Sequence, residues 1–392
     1  MKKSFPVSCS FFPLLCLLLV LLAGCTGKYL RQVPEDRLPD FTDDMHLASL
    51  QTAIAANLEY LRSQDPQREI ILADRTYTVS GLIRSQEFFL QLLAGKPTAA
   101  ELNQRIRENF EVYQAVGTSG VNLHRKMLVT GYFQPVFAGS LEKKEPFNYP
   151  LYSVPPDLVR RQMHQGQSIT GRMDGKKLVP YWTREEIENQ QKAAGSEIAW
   201  LQDPFDVFVL HVQGSGLIRL SNGSLRSLHY AARNGHPYRS IGKFMVDTGR
   251  IRLADAGLQT IRDYLADNPH EREKILHHNP SFIFFDWADT RGAVGNLGKE
   301  LTAGRSVAVD QGCFPGGLLG FLFSRRPAAA DGKNAQWQPL HRFVVVQDSG
   351  SAIRGPGRVD LYWGTGSEAG RQAGQMKEPG SLYFFILKDR KT

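Results

Sequence analysis

The chain has 392 residues, with 47 Lys and Arg against 39 Asp and Glu, a formal net charge of +8 and 42% hydrophobic residues. That length admits two domains, and no apolar run after residue 25 is long enough to cross a membrane as a helix. The mild basic excess suits an anionic partner such as carboxylate-bearing cell wall or lipid headgroups, while the Lys/Arg-rich tracts and arrayed aromatics of a nucleic-acid binder are missing.

The first element reads as an export signal. Lys2 and Lys3 precede an aliphatic run over 14–22, and small residues precede Cys25. Leu22-Ala23-Gly24-Cys25 resembles the lipobox of bacterial lipoproteins. The resemblance implies cleavage before Cys25 and acylation of its thiol, so 1–24 is signal peptide. A lipid-anchored protein of the cell envelope is expected. Thr26, where Asp would favour inner-membrane retention, favours the outer membrane, facing the periplasm. Cys9 and Cys16 leave with the signal, and Cys313 then has no disulfide partner. Residues 25–44 are polar with prolines and read as a linker; about 20 flexible residues reach roughly 25 Å on average.

Two helices are expected next. Apolar residues recur at helical spacing over 47–62, and Thr98 with Glu101 forms a capping-box pattern opening a helix to about Val116. The texture then turns to β. Strands are expected at 126–133, 206–213, 281–287, 305–310, 343–348, 358–363 and 382–387, rich in Val, Phe, Tyr and Ile. Helical patches fall at 184–192, 225–234 and 254–267, and surface loops at 143–150 and 325–339. Short strands without regularly alternating helices predict a mainly β, α+β protein rather than a doubly wound sheet.

Most familiar chemistries are excluded by pattern. There is no HExxH, CxxC or GxSxG, so no metal and no cofactor is expected, and His229, His236, His277 and His278 read as structural. Ser240 to Lys243 matches SxxK, but no Lys-Thr-Gly accompanies it in a position to act. Gly364-Thr365-Gly366-Ser367-Glu368-Ala369 is a weak dinucleotide fingerprint with too little chain after it for the fold that uses one. Carboxylates remain. Asp348 closes the run Phe343-Val344-Val345-Val346, and Asp360 interrupts another strand. Alternation puts Arg358, Asp360 and Tyr362 on one face and Val359, Leu361 and Trp363 on the other. An aspartate in mid-strand opposes β propensity, and such local conflicts often mark function. An Asp360–Arg358 surface pair and a turn-capping Asp348 are the bland alternatives. Asp310 ends its own strand in the same manner.

Four ordered blocks carry a resemblance. They are Thr130-Gly131-Tyr132-Phe133-Gln134-Pro135, the 208–216 segment ending Gln213-Gly214-Ser215-Gly216, the 301–310 segment ending at Asp310, and the 348–388 segment with Asp348, Gly350, Ala352, Ile353, Gly355, Asp360, Gly364, Gly366 and Gly380. Together they resemble the membrane-bound lytic murein transglycosylase A family, from about residue 124 to the end. The chain departs from the family pattern at Cys313–Gly317 and at Ser351, which bears on loop shape and not on the three aspartates.

The resemblance implies a double-psi β-barrel domain built from 45–134 and 278–392. A second β-domain, 135–277, is inserted between them, and a groove between the two holds the glycan. It implies cleavage of the MurNAc-β-1,4-GlcNAc bond of peptidoglycan without water, leaving 1,6-anhydro-muramic acid ends. Asp360 takes the acid/base role, with a proton affinity raised by partial burial, and Asp348 and Asp310 orient it or stabilise oxocarbenium charge. Thr130, Tyr132, Gln213 and Ser215 are candidate substrate-binding residues. Trp182 and Trp287 could stack on sugars or pack in the core, whereas Trp363, opposite Asp360 by alternation, reads as core. Peptidoglycan glycan strands and the membrane are the expected partners, with wall-remodelling proteins also conceivable. A two-carboxylate hydrolase of the same glycan, or a non-catalytic wall-binding lipoprotein, remains open on these residues.

Overall fold

In a computed structural model of the chain, the described residues are 29–117, 126–162, 168–289, 292–328, 337–350 and 352–389. The signal peptide, Cys25 and Thr26 lie outside them.

The largest sheet has eight strands in the order Leu30–Gln32, Phe110–Ala115, Lys377–Leu387, Leu319–Pro327, Trp337–Asp348, Ser306–Ala308, Arg358–Thr365 and Met127–Gln134. Lys377–Leu387 also pairs with Met127–Gln134, which closes the last six into a ring. Two joints of the ring are parallel: Ser306–Ala308 with Trp337–Asp348, and Arg358–Thr365 with Met127–Gln134. Closure leaves those six strands without the unpaired edges of an open sheet. Val129, Val307, Val344, Val346, Val359, Leu361, Leu382 and Phe384 fill one core. The opposite face of the ring packs on a helical layer, Leu47–Arg62, Val79–Ala94 and Ala99–Asn109. Phe343 and Val345 there join Phe41, Phe89, Phe321 and Phe385 in a second core. Phe343-Val344-Val345-Val346 thus reads as a continuous apolar run because both faces of the strand are covered there, and each fully buried Val or Phe contributes roughly 1.5–3 kcal/mol.

A second sheet is drawn from the middle of the chain. Its order is Ile283–Ala288, Leu225–Arg233, Ser215–Arg219, Val136–Ser140, Glu197–Leu201 and Tyr149–Tyr152. A three-stranded sheet, Val159–Gln162, Ser168–Asp174 and Lys177–Pro180, is appended to it in sequence. The sheet runs past residue 277, because Ile283–Ala288 pairs with Leu225–Arg233. The protein is therefore mixed α+β and mostly strand, as expected.

Several local expectations are corrected. Residues 206–213 form the helix Pro204–Gln213. Asp203 caps it by accepting from Phe205 N, Pro204 sits at the first turn, and Gly214 ends it in a left-handed conformation, φ 76°. This helix is buried nearly all round, so its apolar run looked like a strand. Conversely, 225–234 contains a strand paired on both sides. The helix expected to reach 116 stops at Asn109, where Phe110 turns extended and Phe110–Ala115 joins the large sheet beside Lys377–Leu387. Ser240 is an N-cap, accepting from Lys243 N, and Lys243 binds Asp247. The 325–339 loop is shortened by Leu319–Pro327 and Trp337–Asp348, whose ends occupy part of it.

The linker reading fails most clearly. Leu30–Gln32 adds to the sheet beside Phe110–Ala115. Leu38 and Phe41 are buried, Asp43 pairs with Arg305 and Asp44 with Arg342. Residues 30–44 form a strap on the ring, not a free tether.

Candidate active site

The ring places two aspartates close in register. Arg358–Thr365 lies between Met127–Gln134 and Ser306–Ala308, so Asp360 stands opposite Thr130 on one side and Ala308 on the other. Ala308 in turn stands opposite Asp348. Only a methyl group occupies the position between the two carboxylates. Val359 and Leu361 alternate away into the apolar core, which leaves Arg358, Asp360 and Tyr362 for the other face.

Asp360 is 9% exposed. Its Oδ1 accepts from the Thr130 hydroxyl. Arg358 grips it with a fork, Nε to Oδ1 at 2.8 Å and Nη2 to Oδ2 at 2.9 Å. The guanidinium also reaches Thr130 Oγ1 at 3.2 Å and the Ala352 carbonyl at 3.3 Å. All of its contacts on Asp360 are side-chain contacts, so they can be exchanged without moving the backbone. The pair anticipated as a surface pair is in fact partly buried, with Arg358 31% exposed.

Asp348 is held differently. Its Oδ1 accepts from the Asn296 and Ser349 backbone N–H groups, both at 2.8 Å, and its Oδ2 from Tyr132 OH at 2.9 Å. Burial pushes its carboxyl up to about 6; the three donors oppose the shift and the charge of Asp360 adds to it. The Tyr132 phenol is itself held well above its ordinary value, first by burial and then by Asp348. Asp348 is thus a carboxyl raised by burial.

The remaining candidates divide. Asp310 organises a turn: Oδ1 accepts from Gly312 N at 3.0 Å and Oδ2 from Gly355 N at 2.7 Å. It pins the segment between the other two aspartates. Gln213, at the end of the Pro204–Gln213 helix, accepts from Phe133 N at 3.1 Å, beside Tyr132. Ser215 begins a strand opposite His229 and is 7% exposed, and the turn before it is made by Gly214. Trp182 already carries Arg172 over its ring at 3.6 Å, and Trp287 carries Arg226 at 4.5 Å. Trp363 packs against the ring core and against a further apolar cluster that includes Phe133, Phe208, Ala369 and Ala373. It also explains Gly131, where a Cβ would lie 2.5 Å from Trp363 Nε1. Thr130 and Tyr132, expected to bind substrate, donate hydrogen bonds to Asp360 and Asp348. The residues that sequence reasoning missed as parts of the site are Arg358 and Asn296. Asn296 contributes only a backbone N–H, for which no side-chain signal exists.

A carboxyl group on the wall of a closed β-ring, gripped by exchangeable side chains beside a second carboxyl, is the equipment of a carbohydrate-cleaving enzyme. Comparison with known proteins agrees. A family model described as the MltA specific insert domain matches residues 128–286, and the 3D domain model matches 305–386. Membrane-bound lytic murein transglycosylase A of Escherichia coli K12 is 31% identical over 271 residues, 69% of this chain and 67% of the relative. That of Vibrio cholerae is 29% identical over 71% of this chain and 70% of the relative. Among solved structures, a membrane-bound lytic murein transglycosylase from Agrobacterium tumefaciens is similar with a TM-score of 0.73 at 28% identity, covering 91% of this chain and 97% of its own. Escherichia coli MltA with bound chitohexaose is similar with a TM-score of 0.68 at 25% identity, over 92% and 95%. The chain belongs to the membrane-bound lytic murein transglycosylase A family.

Proposed function

We propose that this protein, a lytic transglycosylase of peptidoglycan, cuts the MurNAc-β-1,4-GlcNAc bond with Asp360 as its one acid/base. The two gripped oxygens of Asp360 carry the assignment: among the described residues they are held by the side chains of Thr130 and Arg358, so an incoming glycosidic oxygen can replace a protein contact. Asp348 has no such freedom, because backbone and phenol donors already occupy both of its oxygens.

The reaction balances without water. The Asp360 O–H bond breaks and its proton goes to the glycosidic oxygen as the bond from that oxygen to C1 breaks. The C6 hydroxyl of the same muramic acid attacks C1 and closes the anhydro ring. Its proton returns to the Asp360 carboxylate. Intramolecular attack carries the entropic advantage of a tethered nucleophile, and general acid catalysis typically adds about 10²–10⁴-fold. A hydrolase needs a second carboxylate facing the sugar or its water. Asp348, closed in by its donors, is poorly placed for that task.

We place the protein in the cell envelope, held by lipid on Cys25 in the outer membrane and facing the periplasm, with the glycan lying between the ring and the inserted sheet. The motif at Cys25 and the position of Thr26 support this.

Digestion of purified peptidoglycan tests the reading. Wild type is expected to release anhydro-muramic products, and Asp360→Asn to lose at least a hundredfold in rate. Reducing ends in place of anhydro ends, or an active Asn variant, would overturn it.

A further inference from the structure

An acid that must next serve as a base needs its charged form held in place midway. The fork from Arg358 is built for that moment. Its two bonds of 2.8 and 2.9 Å engage both oxygens of Asp360, while its third nitrogen is braced on the Ala352 carbonyl at 3.3 Å. Two parallel charge-assisted bonds fix direction as well as adding energy. Arg358 itself sits two residues away on the same strand face, so strand pleating supplies the approach without a loop.

We propose that Arg358 is a positioning residue: it aims the Asp360 carboxyl and stabilises the negative charge that appears there when the proton leaves. This rests on Asp360 being the acid/base. As glycan enters, the guanidinium yields one oxygen to the glycosidic oxygen and keeps the other. When the glycosidic bond has broken, both oxygens are anionic and the fork closes again. It then opens once more as the C6 proton returns.

The other groups around Asp360 fit this division. Asp348 faces it as a second carboxyl, and Tyr132 lies in the field of both. Thr130 can follow either state by turning its hydroxyl. Lys377 stands opposite Thr130 on the far strand and is exposed. From the inserted region, Tyr238 lies within the field of Arg358. Among the described residues, Arg358 is the cation bonded directly to Asp360.

The test compares wild type, Arg358→Gln, Arg358→Lys and Asp360→Asn on peptidoglycan across pH, each checked for an unchanged melting temperature. Loss of the fork leaves a weaker acid that stays protonated longer. For Arg358→Gln, kcat is expected to fall about tenfold with KM within about twofold, and the alkaline limb of kcat to move to higher pH. Arg358→Lys keeps a charge but not the fork, so it should fall between the two. An Arg358→Gln enzyme with wild-type kcat and an unmoved limb overturns the inference. So does a loss confined to KM. If Asp360→Asn is active, the reading of Asp360 fails instead, and the two failures are distinct. Should Arg358→Gln melt early, the Lys variant alone decides by its pH limb.

Discussion

At the scale of single residues, Asp348 is a carboxyl kept in an environment that resists its charge. Its value of about 6 lies above the ordinary value of 3.8, so the folded state holds the proton more tightly than the unfolded chain does. The cost of ionising it is present in full above pH 6 and relieved as pH falls through the window from 6 to about 4. The shift corresponds to about 3 kcal/mol, an upper figure since the side chain is partly accessible. Within that window the melting temperature of wild type should rise as pH falls, relative to Asp348→Asn, which cannot ionise. Thermal melts of both proteins between pH 7 and 4.5 check this, and parallel curves would show that Asp348 is not the group responsible. The three aspartates were legible in the sequence as acids at strand ends or in mid-strand. That Asp348 is raised was not, because the burial that raises it comes from parts of the chain distant in sequence. Arg358 was legible only as a neighbour of Asp360. That it forks onto both oxygens depends on the local turn of the strand.

At the scale of elements, the strap over 30–44 shows how polar sequence becomes structure through non-local charge. Arg305 is fully buried, and its guanidinium binds Asp43 at 2.5 and 2.8 Å, Ser49 at 2.9 Å and the Phe343 carbonyl at 2.9 Å. Asp43 also accepts from Phe343 N at 2.8 Å. One aspartate thus joins the strap to two ring strands. Removing it leaves an uncompensated buried cation, which typically costs about 3–5 kcal/mol. Asp43→Ala should lower the denaturant midpoint accordingly, without changing the chemistry at Asp360 in the protein that remains folded. A midpoint within error of wild type would mean the strap is dispensable. Composition misleads here: prolines and acids are what a linker contains, and the partners of these acids lie more than 250 residues away. The same limit explains Pro204–Gln213 and Leu225–Arg233. Periodicity fails for a helix buried on all sides, and equally for a central strand whose faces are both mixed. The ring strands were read correctly where apolar runs meet Gly or Pro, since those signals are local.

At the scale of the whole molecule, the strap changes what a lipid on Cys25 would do. A free tether of some 20 residues would let the enzyme sample roughly 25 Å from the membrane. Leu30, however, is already held in the sheet, 2% exposed and paired with Ala115. Four residues lie between Leu30 and Cys25, and the five steps joining them span at most about 18 Å when fully extended. The lipid would therefore hold the ring against the membrane with its Leu30 edge nearest, and Asp360 would act at a height fixed by the fold. Two variants test this in cells. Cys25→Ser in an exported protein should move the enzyme to the soluble fraction and leave its rate on isolated glycan unchanged. Inserting a flexible segment of about 20 residues before Tyr29 should keep it in the membrane fraction and leave that rate alone, yet increase cleavage of the intact wall. Equal wall cleavage with and without the insertion would show that tether length does not limit access to the glycan. Persistence of the Cys25→Ser protein in washed membranes would show that the lipid is not what holds it there.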